Sequence, residues 1–228
     1  MPLEAKSVKG VADIVFCVDC TGSMTPCIEQ LKTQIGTFIS ELENPIDQNQ
    51  RKIDWQLRVI GFRDLNSDAV PWINRDSPMT ASLEEARAQL AALSAEGGGD
   101  APESALDALW FAVAKTEWRP MCTKVVVLFS DAPALDRLHD STVAAGAVGS
   151  DVSAVAQLLA EKGIWVRIFA AACPAWTELR IPKAVFQDVG GVAGLESVDF
   201  SEVLKVLAKT VSQASQADAA QGVTEAVT

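Results

Sequence analysis

The chain has 228 residues, of which 49% are hydrophobic and 21% are charged. This length suits one compact domain with a sizeable core, whereas two domains would be cramped. Nineteen basic residues against thirty acidic ones give a formal net charge of -11. No stretch gathers Lys or Arg into a stripe that could neutralise phosphates, so we expect neither nucleic acid nor a membrane as a partner.

The two ends of the chain differ in character from the part between them. The first residues, MPLEAKSVKG, lack the apolar core of a signal peptide, and no later stretch reaches the ~20 apolar residues that a membrane span requires. We therefore predict a cytoplasmic protein. We expect an N-terminal extension over residues 1–9, one domain over 10–213, and a disordered tail over 214–228, which is small and polar and has little to bury.

The five cysteines are odd in number, and we interpret most of them as small core residues in a reducing compartment. Cys20 differs because it lies between Asp19 and Thr21 at the predicted entrance of a helix, where a thiol pKa can fall. One such position is weak support for reactivity, so we expect an inert thiol here as well.

Apolar runs bounded by turn residues alternate with segments of helical period along the chain. This alternation is typical of an α/β fold with a mostly parallel sheet. The runs IVFCVD and VVVLFSD are near-continuously apolar, as expected for neighbouring central strands covered on both faces. Strands are predicted at 12–18, 53–62, 69–74, 123–130, 164–171 and 195–198. Helices are predicted at 25–42, 82–94, 102–116, 151–162, 177–187 and 201–213.

The stretch GFRDLNSDAVPWI, between the second and third predicted strands, contains a short polar turn and no helix. We therefore predict an antiparallel hairpin at one edge of the sheet, where Pro71 is tolerated. The predicted fold class is α/β: a doubly wound, Rossmann-like, mostly parallel six-stranded sheet with one antiparallel edge strand and helices on both faces.

Polar side chains follow several of the predicted strands at the point where each strand ends. In a doubly wound sheet, ligands collect outside the carboxyl ends of the strands. Four separate segments bring polar groups to this edge: Asp19, Thr21 and Ser23 after the first strand, Asp64 after the second, Asp131 in FSDAP, and Asp100 and Glu103 in GGGDAPES.

Each of these groups also has an ordinary structural interpretation. Asp100 and Glu103 fit a capping box for the helix that follows, and Ser23 or Thr25 could cap the helix after the first strand. Asp131 could start a turn. These alternatives do not explain why acids converge, because carboxylates at one edge repel each other unless a cation lies among them.

Oxygen donors without histidine or thiolate suit a hard cation. Mg²⁺ is favoured, with octahedral geometry and some retained waters, and Mn²⁺ or Ca²⁺ are alternatives.

DCTGSM at residues 19–24 matches the D-x-[ST]-x-S pattern of the metal-ion-dependent adhesion site in von Willebrand factor A domains. The chain resembles these domains over roughly residues 10–212. The resemblance implies a set of metal-site residues: Thr21, Ser23 and a second-loop residue, Asp100, bind Mg²⁺ directly, and Asp19 and Asp131 act largely through water. We expect four more residues at the rim or behind the ligands: Cys20, Arg63, Asp64 and Glu103.

The second loop departs from the usual pattern, since Asp100 stands where the family commonly has a threonine. GGGDAPE and the preceding Phe62-Arg63-Asp64 resemble a subgroup of these domains that uses an aspartate. A third acid should bind the metal more tightly and leave the ion less electron-poor, so that an acidic ligand from a partner is held more weakly.

The resemblance implies a non-enzymatic module that binds an Asp or Glu of a partner protein through Mg²⁺. One alternative is a Mg²⁺-dependent phosphohydrolase, since acid-rich strand ends also serve phosphoryl transfer. Against it, the chain has neither a P-loop pattern nor GxGxxG after the first strand, and His139 lies in a loop without a nucleophile motif. A third alternative is a scaffold in which the metal is only structural.

Overall fold

In the described residues, six strands form one sheet at the centre of the protein. The computed structural model describes residues 10–44, 52–98, 101–191 and 199–225, with the side chains of the last helix described up to Ser215. The sheet has the order β3, β2, β1, β4, β5, β6; β3 is antiparallel to β2 and the other neighbours are parallel. The predicted fold class is confirmed. The strands are β1 (Gly10–Asp19), β2 (Ile53–Phe62), β3 (Trp72–Ile73), β4 (Thr123–Phe129), β5 (Trp165–Ala170) and β6 (Ala184–Asp188).

Helices cover both faces of this sheet. Phe16 of β1 packs with residues of the first, second and last helices, whereas its neighbour Cys17 packs with residues of the third and fifth. The central strands are thus buried on both faces, which explains their near-continuous apolar sequences. The helices are α1 (Thr25–Glu43), α2 (Leu83–Ala91), α3 (Ala105–Ala114), α4 (Asp140–Ala144), α5 (Val152–Glu161), α6 (Pro174–Glu178) and α7 (Phe200–Glu225), with a short 3-10 helix, Gly22–Met24, before α1.

The register of the parallel strands brings their carboxyl ends to one level. Asp19, the last residue of β1, lies opposite Phe62 on β2, and Val18 lies opposite Phe129 on β4. The residues that follow these strands therefore emerge beside Asp19. We call this side of the sheet the carboxyl edge.

The predicted hairpin is present, but its second strand is shorter than expected. β3 spans only Trp72–Ile73 instead of 69–74, and it pairs with Gly61 and Phe62 of β2. Pro71 directly precedes the strand, where its missing N–H removes no ladder hydrogen bond.

The helix predicted at 177–187 is wrong. The chain instead forms α6 and then the edge strand β6, in which Val185 lies opposite Arg167 of β5. Pro182 interrupts the helical pattern. The side chains of β6 are half-buried or exposed, so this strand lacks the apolar run that identified the central strands. The strand predicted at 195–198 lies outside the described residues.

The last helix is longer than predicted, since α7 continues to Glu225 instead of ending at 213. Ala214 and Ser215 are buried, and a Cβ atom on Gly10 would collide with the Ser215 hydroxyl. The residues just after 213 are therefore packed against the start of β1, where we expected a disordered tail. The domain boundaries stay a prediction. In the described part of the chain, no helix is long and apolar enough to cross a membrane.

Candidate metal centre

The first loop of the carboxyl edge leads from Asp19 into α1. Asp19 is buried, and its Oδ1 accepts hydrogen bonds from the backbone N–H of Thr21 at 2.9 Å and from the Thr21 hydroxyl at 2.8 Å. Ser23 follows in the 3-10 helix and is exposed. The carboxylate of Asp19 therefore fixes the position of the Thr21 side chain.

The hydroxyl groups of this loop do not cap α1. The N-cap residue of α1 is Met24, and no side chain caps the helix there. The Thr25 hydroxyl instead donates to the Gly22 carbonyl at 3.0 Å. The interpretation of Ser23 or Thr25 as a helix cap is therefore wrong.

A serine that the sequence did not single out completes the surroundings of Asp19. Ser130 follows β4, and its hydroxyl donates to Oδ2 of Asp19 at 2.7 Å. Both oxygens of Asp19 are thus hydrogen-bonded, one to Thr21 and the other to Ser130. The signal was present in FSDAP, where a hydroxyl residue follows an apolar strand directly before Asp131.

Two further carboxylates face a cavity beside the first loop. Glu103 is 4% exposed and Asp131 is 7% exposed. Oε2 of Glu103 and Oδ2 of Asp131 are buried and have no hydrogen-bond partner among the described residues. Such oxygens are costly to bury, so the cavity is suited to a cation. Its volume is about 420 Å³, and it is lined by Thr21, Gly22, Ser23, Gly97, Gly98, Ala101, Glu103, Asp131, Ala132 and Pro133.

Glu103 thus lines the cavity together with Asp131; we predicted Glu103 at the rim or behind the ligands, and its role at the metal stays a prediction. Its N–H donates to the Pro133 carbonyl at 2.8 Å, and its carbonyl accepts from the Leu135 N–H at 2.9 Å. The capping box predicted for Asp100 and Glu103 is wrong, because α3 begins at Ala105 with Ser104 as its N-cap. Asp100 itself lies outside the described residues.

Burial, together with neighbouring carboxylates, raises the pKa of Glu103 and of Asp19. Burial raises the pKa of Glu103 to about 8, and the carboxylates of Asp19, Asp64, Asp68 and Asp131 add to this shift. Burial likewise raises the pKa of Asp19 to about 6, although its hydrogen bonds from Thr21 and Ser130 lower it in part. A bound cation would lower the pKa of both carboxyl groups, since it stabilises their ionised forms.

Glycines allow the second loop to lie directly against the first. The Gly22 N–H donates to the Gly97 carbonyl at 3.1 Å. Gly98 has a φ of +69°, and a Cβ atom there would lie 2.7 Å from Cβ of Thr21. A larger residue at position 98 would therefore be strained and would also push Thr21 away.

Three of the predicted rim residues do not line the cavity in the described structure: Cys20, Arg63 and Asp64. Cys20 is buried, and this burial, with the charge of Asp19, raises the pKa of its thiol to about 12. The thiol is therefore protonated near neutral pH. Cys17 and Cys20 have C-x-x-C spacing, but they belong to the core clusters on opposite faces of the sheet.

In the described structure, a hard cation could be held only by hydroxyl and carboxylate oxygens together. No group of three or more His, Cys, Asp or Glu side chains in the described ranges is arranged to hold a metal by itself. Thr21 and Ser23 bring two hydroxyl oxygens to the cavity that Glu103 and Asp131 also line. Oxygen ligands of this kind suit Mg²⁺ and Ca²⁺, and the two buried oxygens without partners support the fit.

The chain matches a known protein family over most of its sequence. The family described as the von Willebrand factor A domain matches residues 13–167 of the chain. Because this match covers more than half of the sequence, the chain belongs to the von Willebrand factor A domain family.

One sequence relative is the alpha-protein kinase vwkA of Dictyostelium discoideum. It is 32% identical over 123 residues, which make up 53% of this chain and 18% of that protein. The chain thus spans less than a fifth of the length of this relative.

Solved structures share the fold at low sequence identity. The pilus adhesin SpaC of Lactobacillus rhamnosus GG has a TM-score of 0.55 at 17% identity, over 90% of this chain and 30% of the adhesin. The hypothetical protein BatB of Bacteroides thetaiotaomicron has a TM-score of 0.56 at 16% identity, over 90% of this chain and 99% of BatB. Proximal thread matrix protein 1 of the mussel byssus, with a zinc-occupied MIDAS motif, has a TM-score of 0.52 at 13% identity, over 88% of this chain and 46% of that protein.

Proposed function

We propose that this protein is a Mg²⁺-dependent protein-binding module that engages an acidic group of a partner protein. The observation that carries the proposal is the pair of buried carboxylate oxygens, from Glu103 and Asp131, that lack partners in the described structure and lie beside the hydroxyls of Thr21 and Ser23. Membership of the von Willebrand factor A domain family supports an interaction role. A bound Mg²⁺ supplies a Lewis-acidic position that a partner's carboxylate can occupy.

The side chains of the two loops have different roles in this proposal. The hydroxyls of Thr21 and Ser23 hold the ion directly, together with an acid of the second loop. Asp100 is that acid by the family pattern, and the position of Glu103 supports a second carboxylate from the same loop. Asp19 acts indirectly, which is supported by the hydrogen bonds that occupy both of its oxygens.

Mg²⁺ is the proposed ion, and Mn²⁺ or Ca²⁺ would find the same oxygen donors. The mussel byssus protein carries zinc in its MIDAS motif, which supports divalent metal binding in general. We also propose that the chain belongs to the subgroup with an aspartate in the second loop, on the basis of GGGDAPE at residues 97–103.

The proposed module is non-enzymatic. The sequence lacks the P-loop and GxGxxG patterns that hold phosphates, which speaks against a phosphohydrolase. His139, the single histidine, accepts a hydrogen bond from the Ser141 N–H as the N-cap of α4. This contact gives the histidine a structural role, and the kinase activity in the name of the vwkA relative belongs to that protein.

A pull-down with the parent protein and the Ser23→Ala variant tests the proposal. Ser23 is exposed and does not cap α1, so the variant should fold. We expect the parent to retain a partner protein in millimolar Mg²⁺ and to release it in EDTA, whereas Ser23→Ala should retain none. Ser153→Ala, at an exposed position on α5, is the matched control and should behave as the parent.

Equal retention by the parent in Mg²⁺ and in EDTA would contradict metal dependence. Turnover of a phosphate ester by the parent, lost in Asp19→Asn, would favour the phosphohydrolase instead.

A further inference from the structure

Arg63 connects three separate segments of the carboxyl edge. It directly follows β2 and is 6% exposed. Its Nε donates to the Cys20 carbonyl at 3.0 Å, its Nη1 to the Val70 carbonyl at 3.2 Å, and its Nη2 to the Ser94 carbonyl at 2.9 Å. The guanidinium group therefore fixes the first loop, the hairpin turn and the chain that leaves α2 relative to one another.

The Cys20 carbonyl is one of the points at which the two metal-site loops meet. Besides the bond from Arg63, it accepts a hydrogen bond from the Glu96 N–H at 2.9 Å. Cys20 lies between Asp19 and Thr21, and Glu96 directly precedes the glycines of the second loop. A displacement of this carbonyl would therefore move Thr21 and the second loop together.

Asp64 connects the chain that follows β2 to the segment that contains Glu103. Its Oδ1 accepts a hydrogen bond from the Ser104 hydroxyl at 3.0 Å, and that hydroxyl accepts one from the Leu65 N–H at 2.9 Å. Ser104 directly follows Glu103. Although burial opposes it, the hydrogen bonds from Asn66, Ser67 and Ser104 lower the pKa of Asp64, which keeps the carboxylate ionised.

We infer that Arg63 and Asp64 act as positioning residues, which form a brace that holds the first loop and the Glu103 segment in place for the metal without touching it. The inference rests on the proposed function. Neither residue lines the cavity in the described structure, so each acts through the groups that it holds.

The brace counteracts the repulsion between the carboxylates of the metal-free site. Asp19, Glu103 and Asp131 repel one another when no cation lies among them, and this repulsion favours separation of the segments that carry them. Arg63 and Asp64 oppose the separation by hydrogen bonds to two of those segments, although the charge of Asp64 itself adds to the repulsion on Glu103. The loops are therefore arranged before the metal arrives, and binding needs little further ordering.

Arginine is required for its shape as well as for its charge. Its planar guanidinium presents several N–H groups in fixed directions, whereas a lysine ammonium is a compact group at the end of a flexible stem. A lysine at position 63 keeps the positive charge but cannot reach the carbonyls of Cys20, Val70 and Ser94 together.

Arg63→Lys tests the first half of the brace. We expect Mg²⁺ affinity, measured by isothermal titration well below the melting temperature, to fall at least fivefold. In EDTA, hydrogen exchange of the amides at 20–24 and 96–98 should accelerate relative to the parent. Arg75→Lys, at a partly exposed arginine that pairs with Asp76, is the matched control and should change neither quantity.

A lower melting temperature with unchanged Mg²⁺ affinity and unchanged exchange in these loops would overturn the brace and leave Arg63 a general stabilising residue. If the parent itself binds no Mg²⁺, the proposed function fails, and the exchange measurement in EDTA still decides whether Arg63 holds the loops.

Asp64→Ala and Ser104→Ala test the second half. Ser104 makes no side-chain capping bond to α3, so its removal costs the helix little. We expect each variant to weaken Mg²⁺ binding severalfold and the double variant to be no weaker than Asp64→Ala alone, since both remove the same link. Multiplicative losses in the double variant would show that the two residues act separately and would overturn this half of the brace.

Discussion

The carboxylates of Asp19 and Glu103 differ in how fully they are hydrogen-bonded. Asp19 has both oxygens hydrogen-bonded, to Thr21 and Ser130. Glu103 has a buried Oε2 with no partner in the described residues, and four neighbouring carboxylates add to the effect of burial on its pKa. Glu103 therefore has the most to gain from a bound cation, and it is the residue whose replacement is most informative.

We expect the metal-free protein to lose stability as the pH rises from about 4.5 to about 8, the interval between the ordinary pKa of Glu103 and its raised value. In this interval the folded state holds a proton that the unfolded state has released, so rising pH favours unfolding. Glu103→Gln, which stays neutral, should flatten this dependence most clearly above about pH 6, because below it Asp19, whose pKa is raised to about 6, contributes a slope of the same sign. Thermal melts in EDTA across the interval measure it.

The matched control is Glu117→Gln, at an exposed position, which should keep the pH dependence of the parent. The same slope in Glu103→Gln as in the parent would show that Glu103 is not the acid responsible. In millimolar Mg²⁺ the parent should lose most of this pH dependence, because the ion stabilises the charged carboxylate.

The glycines of the second loop determine how close the two metal-site loops come. We expect Gly98→Ala to destabilise the protein by about 1–2 kcal/mol, the cost of a side chain in the left-handed region, and to weaken Mg²⁺ binding as well, because the new Cβ would displace Thr21. Denaturant unfolding in EDTA and isothermal titration with Mg²⁺ measure the two effects.

Gly163→Ala is the control for Gly98→Ala. Gly163 has a φ of +68°, and a Cβ atom added there would have no neighbouring atom within 4 Å, so its replacement should carry the backbone cost alone. If both variants bind Mg²⁺ as the parent does, contact between position 98 and Thr21 does not matter for the site.

The elements differ in how well the sequence predicted them. β1 and β4 could be predicted because a strand buried on both faces needs an apolar residue at nearly every position. β6 could not, because an edge strand buries little and its sequence resembles part of an amphipathic helix. The places of Asp19 and Asp131 were predictable because they stand at the ends of central strands, whereas the place of Glu103 at the cavity depends on its backbone hydrogen bonds with Pro133 and Leu135.

Metal binding should stabilise the fold against thermal unfolding. At Mg²⁺ a hundredfold above its dissociation constant, the gain is about 2.7 kcal/mol, which corresponds to a rise of roughly 5–10 °C in melting temperature for a chain of this size. Melts in EDTA and in millimolar Mg²⁺ measure this shift. Ser23→Ala should melt at the same temperature in both, and identical midpoints for the parent would remove the metal site from the proposal.

The contact between Gly10 and Ser215 determines which side of the protein would face a support if the protein were tethered before β1. The start of β1 and the described part of α7 meet at the end of the sheet opposite Asp19. β1 has ten residues, so this end lies roughly 30 Å from the carboxyl edge. A tether fused before Gly10 would therefore point the cavity of Ser23 and Glu103 outward, away from the support, and leave it open to a partner.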